Sequence, residues 1–321
     1  MNGFRPYPLT AGGHCQTLLA YFRRRGMTWP LASEDLVVEA GPDARLLLRA
    51  TWQPGPRRRR PALVLVHGLG GSDAAGYVLA TGRLAFARGW HVVRMNLRGA
   101  GDGIGVCARL YNAGLTDDIH AALEAVAQQA ARTAVAGFSL GGSLALLTLA
   151  RCGAALAPGV VAAAAISPPL DLAACADALE RPANRLYQFY FMRNLRAAYR
   201  ALQRRRPDLY AADRELGLRT IREYDDRITA PYGGYGAAAR YYAESSAGPA
   251  LAGLTRPALV LAAQDDPLVP AESVARWPLA PAVRREILAT GGHVGFLGAT
   301  RAPGSFWAGE RALDFLEAIA R

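Results

Sequence analysis

The chain has 321 residues, is 51% hydrophobic and carries a formal charge of +11, with arginine supplying all 37 basic residues. That is enough apolar material for a large core, in one domain with an insertion or in two domains, and no apolar run reaches the ~18 residues of a membrane span. The basic runs 23–25, 57–60 and 204–206 are well separated, so they read as solvated surface and not as a nucleic-acid face; weak attraction to an anionic membrane surface or an acidic partner is the second reading.

The N-terminal stretch "MNGFRPYPLTAGGHCQTLLAYFRRR" lacks the basic-then-apolar order of a signal peptide. Cys15, Cys107, Cys152 and Cys175 are scattered with no Cys-x-x-Cys, which fits reduced thiols in the cytoplasm. Residues 34–40 and 44–52 pattern as an antiparallel strand pair joined by a Gly-Pro turn, and "GPRRRR" follows as an exposed connection. The continuous apolar run 61–68 is a fully buried strand. A helix follows over 76–88 and a strand over 90–96. Next comes a helix over 115–130, with Thr116 as its cap and two Asp in its first turn.

"VAGFSLGGSLALL" (135–147) changes its apolar period at Ser139. A short β-branched run precedes it and a Leu/Ala-rich helix follows. Gly-x-Ser-x-Gly on a sharp strand-to-helix turn is a nucleophile elbow. Gly137 and Gly141 leave room where a Cβ would crowd the turn. A further strand is expected over 159–167. The alternation then breaks: 168–246 is helical, aromatic and arginine-rich, with no clear strand. Strands resume at 256–263 and 283–290, and a helix closes the chain over 305–320. The expectation is a mostly parallel α/β sheet covered on both faces. Its core comprises 1–167 and 247–321, and 168–246 is inserted as a helical cap.

In such a sheet, chemistry collects beyond the carboxyl ends of the strands. Four strand ends carry "HGLGGSD" (67–73), the elbow, "QDDPLVP" (264–270) and "TGGHVGF" (290–296). They offer a glycine-rich loop, a nucleophile, an acid and a base. Ser139 needs a base to take its proton, and imidazole at His293 is suited to that task near neutral pH. A carboxylate must orient the imidazole. Asp266 is the preferred acid, because Asp-Pro-Leu-Val-Pro matches the usual acid loop of this fold and lies further from the strand. Asp265 is the alternative. Backbone N–H groups of Leu140 and Leu69 would form the oxyanion hole.

The other histidines read as structural: His91 opens a strand, His120 lies within a helix and His67 orients its own loop. His14 has no derivable role. Ser143 is a packing residue within the elbow helix. No Gly-Lys follows "GLGGSDAAG", "RGAGDGIG" lacks the dinucleotide register, and no Cys/His cluster suggests a metal. No cofactor, metal or nucleic acid is expected.

These residues carry a resemblance. "HCQTLLAYF", "LVHGLGGSDAAGYV", "MNLRGAG", "RLYNAGLTDDI", "GFSLGGSLALL", "ISPPLDL", "YDDRITAPYGGYGAAARYY", "DDPLVP" and "GGHVGF" together resemble the YheT-like AB hydrolase 4 family of α/β-hydrolases, nearly end to end. "HxQT" and "YDDRITAP" are the more specific matches. The resemblance implies an α/β-hydrolase fold and a serine esterase acting on short- to medium-chain acyl esters through an acyl-serine, with the triad Ser139, Asp266 and His293. Acyl transfer to an alcohol by the same triad, or a binding protein that kept the fold, are the alternatives. Asn112 departs from the histidine expected in many relatives, beside the site. The cap's Leu, Tyr and Phe residues form either an apolar acyl pocket or ordinary helix packing.

Overall fold

The computed structural model describes residues 3–8, 10, 12–298 and 305–320. In chain order the first half comprises α1 (Gly13–Arg24), β1 (Glu34–Gly41), β2 (Ala44–Thr51), β3 (Ala62–Val66), α2 (Gly76–Ala87), β4 (His91–Met95), α3 (Thr116–Ala127), β5 (Thr133–Phe138), α4 (Leu140–Cys152) and β6 (Val160–Ile166). A helical stretch follows: α5 (Leu172–Glu180), α6 (Arg185–Arg205), α7 (Ile221–Tyr224), a π-helical turn (Asp225–Thr229), α8 (Ala230–Tyr232) and α9 (Ala238–Ser245). β7 (Ala258–Ala263), α10 (Ala271–Ala275), β8 (Val283–Leu288) and α11 (Trp307–Ala320) complete the principal elements.

The eight strands form one sheet in the order β1-β2-β4-β3-β5-β6-β7-β8. The β1–β2 and β2–β4 pairs are antiparallel, and all others are parallel. β3, β4, β5 and β7 are buried at every position, which explains the unbroken Val/Leu/Ala runs of β3 and β7: successive side chains enter opposite helical layers. Val64, Val66 and Val135 meet Ile119 and Leu123 of α3 and Leu144 and Leu147 of α4. Leu63, Leu65, Ala134 and Ala136 meet Val78 and Ala85 of α2 and Leu313 and Leu316 of α11. Burying each Val, Leu or Ile side chain among them contributes roughly 1.5–3 kcal/mol. β1 alternates exposed and half-buried residues, as an edge strand must.

The sheet order reverses at β3, which sends the chain to β4 on one side and back to β5 on the other. The crevice at that reversal opens between the carboxyl ends of β3 and β5, so the loop after β3 faces Ser139 after β5.

Two expectations need correcting. Leu115, not Thr116, holds the cap position of α3, and no side chain caps it. The reason is local: the Thr116 N–H already returns to the Gly114 carbonyl at 2.8 Å, so the turn is closed by backbone. The run 23–25 is not all solvated surface, because Arg24 is 8% exposed. Among the described residues no helix is long and apolar enough to cross a membrane, and none of the four cysteines forms a disulfide.

Candidate active site

Ser139 adopts φ 51° and ψ −124°, a conformation that costs a β-carbon residue on the order of 1–3 kcal/mol and persists only where its surroundings enforce it. The surroundings are tight. A Cβ on Gly137 would run into the Gly141 backbone, and one on Gly141 into the carbonyls of Val66 and His67. The Ser139 N–H is tied to the Ile166 carbonyl at 2.8 Å. The serine hydroxyl is therefore held above the end of β5 by backbone packing on three sides.

His293 Nε2 lies 2.9 Å from Ser139 Oγ, and His293 Nδ1 lies 2.9 Å from Asp266 Oδ2. The other Asp266 oxygen accepts the N–H groups of Leu268 and Val269 at 2.8 and 3.0 Å. A carboxylate so bonded is held in one rotamer. Asp265 points elsewhere: its Oδ1 accepts the Gly292 N–H at 2.9 Å, and its backbone packs against Gly13 at the start of α1, where no Cβ would fit. The structure thus brings Ser139, His293 and Asp266 together and leaves Asp265 outside that chain of contacts.

Leu140 is the first residue of α4, where N–H groups have no intrahelical partner. Leu69 lies between two anchored neighbours. The Gly68 N–H donates to the Tyr77 hydroxyl at 3.1 Å and the Gly70 N–H to the Tyr111 hydroxyl at 2.7 Å. Gly68 also abuts the elbow, since an added Cβ would stand 3.1 Å from Ser139 Cβ. Burial pushes both tyrosine hydroxyls up to about 12, so they remain neutral partners. His67 is fully buried. Its Nδ1 donates to the Gly68 carbonyl at 2.8 Å, and its Nε2 accepts the Leu97 N–H at 3.1 Å. Burial lowers its pKa to about 4, with the Gly68 bond opposing, so this imidazole is a neutral strut. His91 similarly accepts the Gln53 N–H at 2.9 Å, and His120 lies 3.5 Å from Glu124 one turn on. Ser143 donates to the Pro169 carbonyl at 2.8 Å.

Sequence reasoning missed α1. The loop bearing His293 has positive φ at Gly292, Val294 and Phe296 and makes almost no regular backbone pairing, so its polar groups need partners from elsewhere. The N–H groups of Gly292, His293, Val294 and Leu297 are accepted in turn by Asp265, Thr17, Ser167 and Gln16, at 2.9, 2.8, 3.1 and 2.8 Å. Arg24 donates to the carbonyls of Val294 and Gly295 at 2.8 and 2.6 Å and stacks 4.0 Å from the Phe306 ring. Burial lowers the Arg24 guanidinium to about 9. Thr17, Gln16 and Arg24 all project from α1. His14, on the same helix, stacks on Tyr187 and lies 3.1 Å from its hydroxyl. The only advance signal was the "HCQT" string itself.

Two cavities meet at Ser139 and His293, sharing Leu69, Phe191 and Leu268. The inner one, about 120 Å³, is walled by Leu172, Leu179, Leu195 and Ile221 and ends among Tyr241, Tyr242, Asn112 and Asp225. Asp225 accepts the Tyr242 hydroxyl at 2.8 Å, and burial raises its pKa to about 6 against the pull of the Thr229 and Tyr242 bonds. Asn112 Oδ1 accepts the Gly114 N–H at 2.8 Å. The outer cavity, about 640 Å³, lies between α1, the loop after β3 and the first turns of α6.

A family model described as alpha/beta hydrolase fold matches residues 61–300. The chain belongs to the α/β-hydrolase family and, within it, is a YheT-like member. It is 34% identical over 310 residues to YheT of Escherichia coli, whose name marks it as a candidate esterase, covering 94% of this chain and 89% of that one. It is 31% identical over 247 residues to phospholipase ABHD3 of Mus musculus, covering 74% of this chain and 59% of the mouse protein. Among solved structures, the Pyrococcus furiosus esterase Pf2001 superposes with a TM-score of 0.59 at 15% identity, covering 90% of this chain and 93% of that one; at that identity the likeness speaks to fold alone.

Proposed function

We propose that this chain is a serine hydrolase of carboxylic esters, with Ser139 as nucleophile, His293 as general base and acid, and Asp266 as the orienting carboxylate. The observation that carries this reading is the continuous contact from Asp266 Oδ2 through His293 to Ser139 Oγ, with both steps at 2.9 Å. Ser139 Oγ attacks the ester carbonyl carbon while His293 Nε2 takes its proton. Asp266 holds the Nδ1–H and stabilises the imidazolium. The N–H groups of Leu69 and Leu140 receive the oxyanion. Collapse breaks the bond to the alkoxy group, which leaves as the alcohol with the proton from His293. Water, deprotonated by His293, then hydrolyses the acyl-serine.

The helical stretch 168–246 acts in this reading as a cap on a core of 1–167 and 247–321. It supplies Leu172, Leu179, Leu195 and Ile221 to the inner cavity. That apolar limb would take the acyl chain and favours short- to medium-chain esters, with the alcohol side toward the outer cavity. The free thiols of Cys107 and Cys175 suit action in the cytoplasm.

Hydrolysis of p-nitrophenyl esters from acetyl to dodecanoyl tests this. The reading expects an optimum at intermediate length that vanishes in Ser139→Ala. Equal rates across the series would remove the inner cavity as the acyl site.

A further inference from the structure

The two helices that flank the outer cavity share an unusual surface. Among the described residues seven large hydrophobic side chains are exposed, and four of them lie on α1 and α6: Tyr21 at 46%, Phe22 at 59%, Leu186 at 61% and Phe189 at 66%. The helices touch at this point, with Tyr21 and Tyr190 ring centroids 5.9 Å apart. The outward face of α6 runs Leu186, Phe189, Arg193, Arg200, the spacing of one helical stripe. Neither α1 nor α6 contains an acidic residue, and α6 alone carries six arginines. Phe189 sits in a shallow depression whose rim includes Arg185, Arg193, Arg196 and Arg219 and no carboxylate. Arg23, Arg25, Arg185 and Arg193 are exposed.

We propose that this face of α1 and α6 docks on an anionic phospholipid surface, placing the outer cavity against the lipid so that an acyl ester enters from the membrane. The inference rests on the ester hydrolase reading for its purpose, but not for its test. The chemistry fits one occupant. Aromatic and leucine side chains at the edge of the cavity enter the headgroup–acyl boundary, and arginines around them meet phosphates. A second copy of the chain would bring the same arginines against each other, a like-charge pairing with no acidic residue on either helix to offset it.

The test is co-sedimentation of the full chain with phosphatidylcholine vesicles, with or without about half phosphatidylglycerol. Partition onto the anionic vesicles should be about tenfold stronger than onto neutral ones, and it should fall in about 0.5 M salt as charges are screened. Phe189→Ser should lower it by about tenfold through lost insertion, and Arg185→Gln with Arg193→Gln by a similar factor. An unchanged circular dichroism spectrum and melting temperature would show that each variant is folded. Equal partition onto both vesicles, or variants that bind like the wild type, would overturn the proposal. A concentration-dependent dimer lost in Phe189→Ser would also overturn it, and would give the face to a second copy. Vesicle binding without ester hydrolysis would sink the catalytic reading and leave the docking surface standing; hydrolysis without binding would do the reverse.

Discussion

Thr17 Oγ1 lies 2.8 Å from the backbone nitrogen of His293 and accepts its N–H, while donating to the Gly13 carbonyl at 2.6 Å. The hydroxyl is thus fixed by its own helix and in turn fixes the residue we assign as base. Removing it would leave an N–H unsatisfied at a cost of about 1–3 kcal/mol, and a small shift of the imidazole is expensive in rate. Thr17→Val should lower kcat by about tenfold or more with KM nearly unchanged. Thr17→Ser should restore most of it. Steady-state kinetics of the two variants distinguish this positioning role from general destabilisation, which would lower active enzyme in both.

The adjacent carboxylates separate by task. Asp266 contacts His293 at 2.9 Å, while Asp265 holds the Gly292 N–H. Asp266→Asn should reduce kcat by about 10⁴, because the amide no longer enforces the imidazole's tautomer. Asp265→Asn keeps an acceptor and should cost about tenfold or less. Comparable losses in both would contradict the assignment.

The elbow makes a stability prediction. Gly141→Ala would push a methyl group into the Val66 and His67 carbonyls, atoms of buried backbone that cannot swing aside. A loss exceeding about 3 kcal/mol is expected, seen in urea melts as a lower midpoint or as failure to accumulate folded protein.

Asp225 gives a pH dependence. Its carboxyl is raised by burial from 3.8 to about 6. Between those values the folded chain keeps a proton that the unfolded chain has released, so its contribution to stability is full below pH 4 and is lost as pH rises through about 6. Relative to Asp225→Asn, the wild type should therefore lose stability over that window, by at most about 3 kcal/mol. Urea melts of both proteins at pH 4 and pH 7 measure the difference; parallel curves would contradict it.

The residues at strand ends were legible because each carries its own local mark. Glycines around Ser139 announce a turn no Cβ tolerates, and the buried runs before each loop announce parallel strands. The sequence favours Asp266 over Asp265 through the match of its loop to the usual acid loop of the fold; the two residues alone do not decide it, since neighbours in a loop point apart and only the loop's path does. The bracing of His293 was hidden for a different reason. Gln16, Thr17 and Arg24 act through side chain to backbone bonds with a loop some 270 residues away, and Arg24 sits in an arginine run that patterns as surface. Likewise, nothing in "YDDRITAP" marks Asp225 as lining the inner cavity, because the π-helical turn that carries it arises from packing and not from composition.

As nucleophile, Ser139 would carry the acyl group between the two half-reactions. The most direct measurement is intact-mass spectrometry of the protein quenched by acid during turnover of a slow acyl ester, followed by peptide mapping. A mass increase of one acyl group replacing one proton is expected, located on Ser139 and absent from Ser139→Ala, which should also lose turnover. Turnover that persists in Ser139→Ala, or an acyl group mapped to another residue, would contradict it.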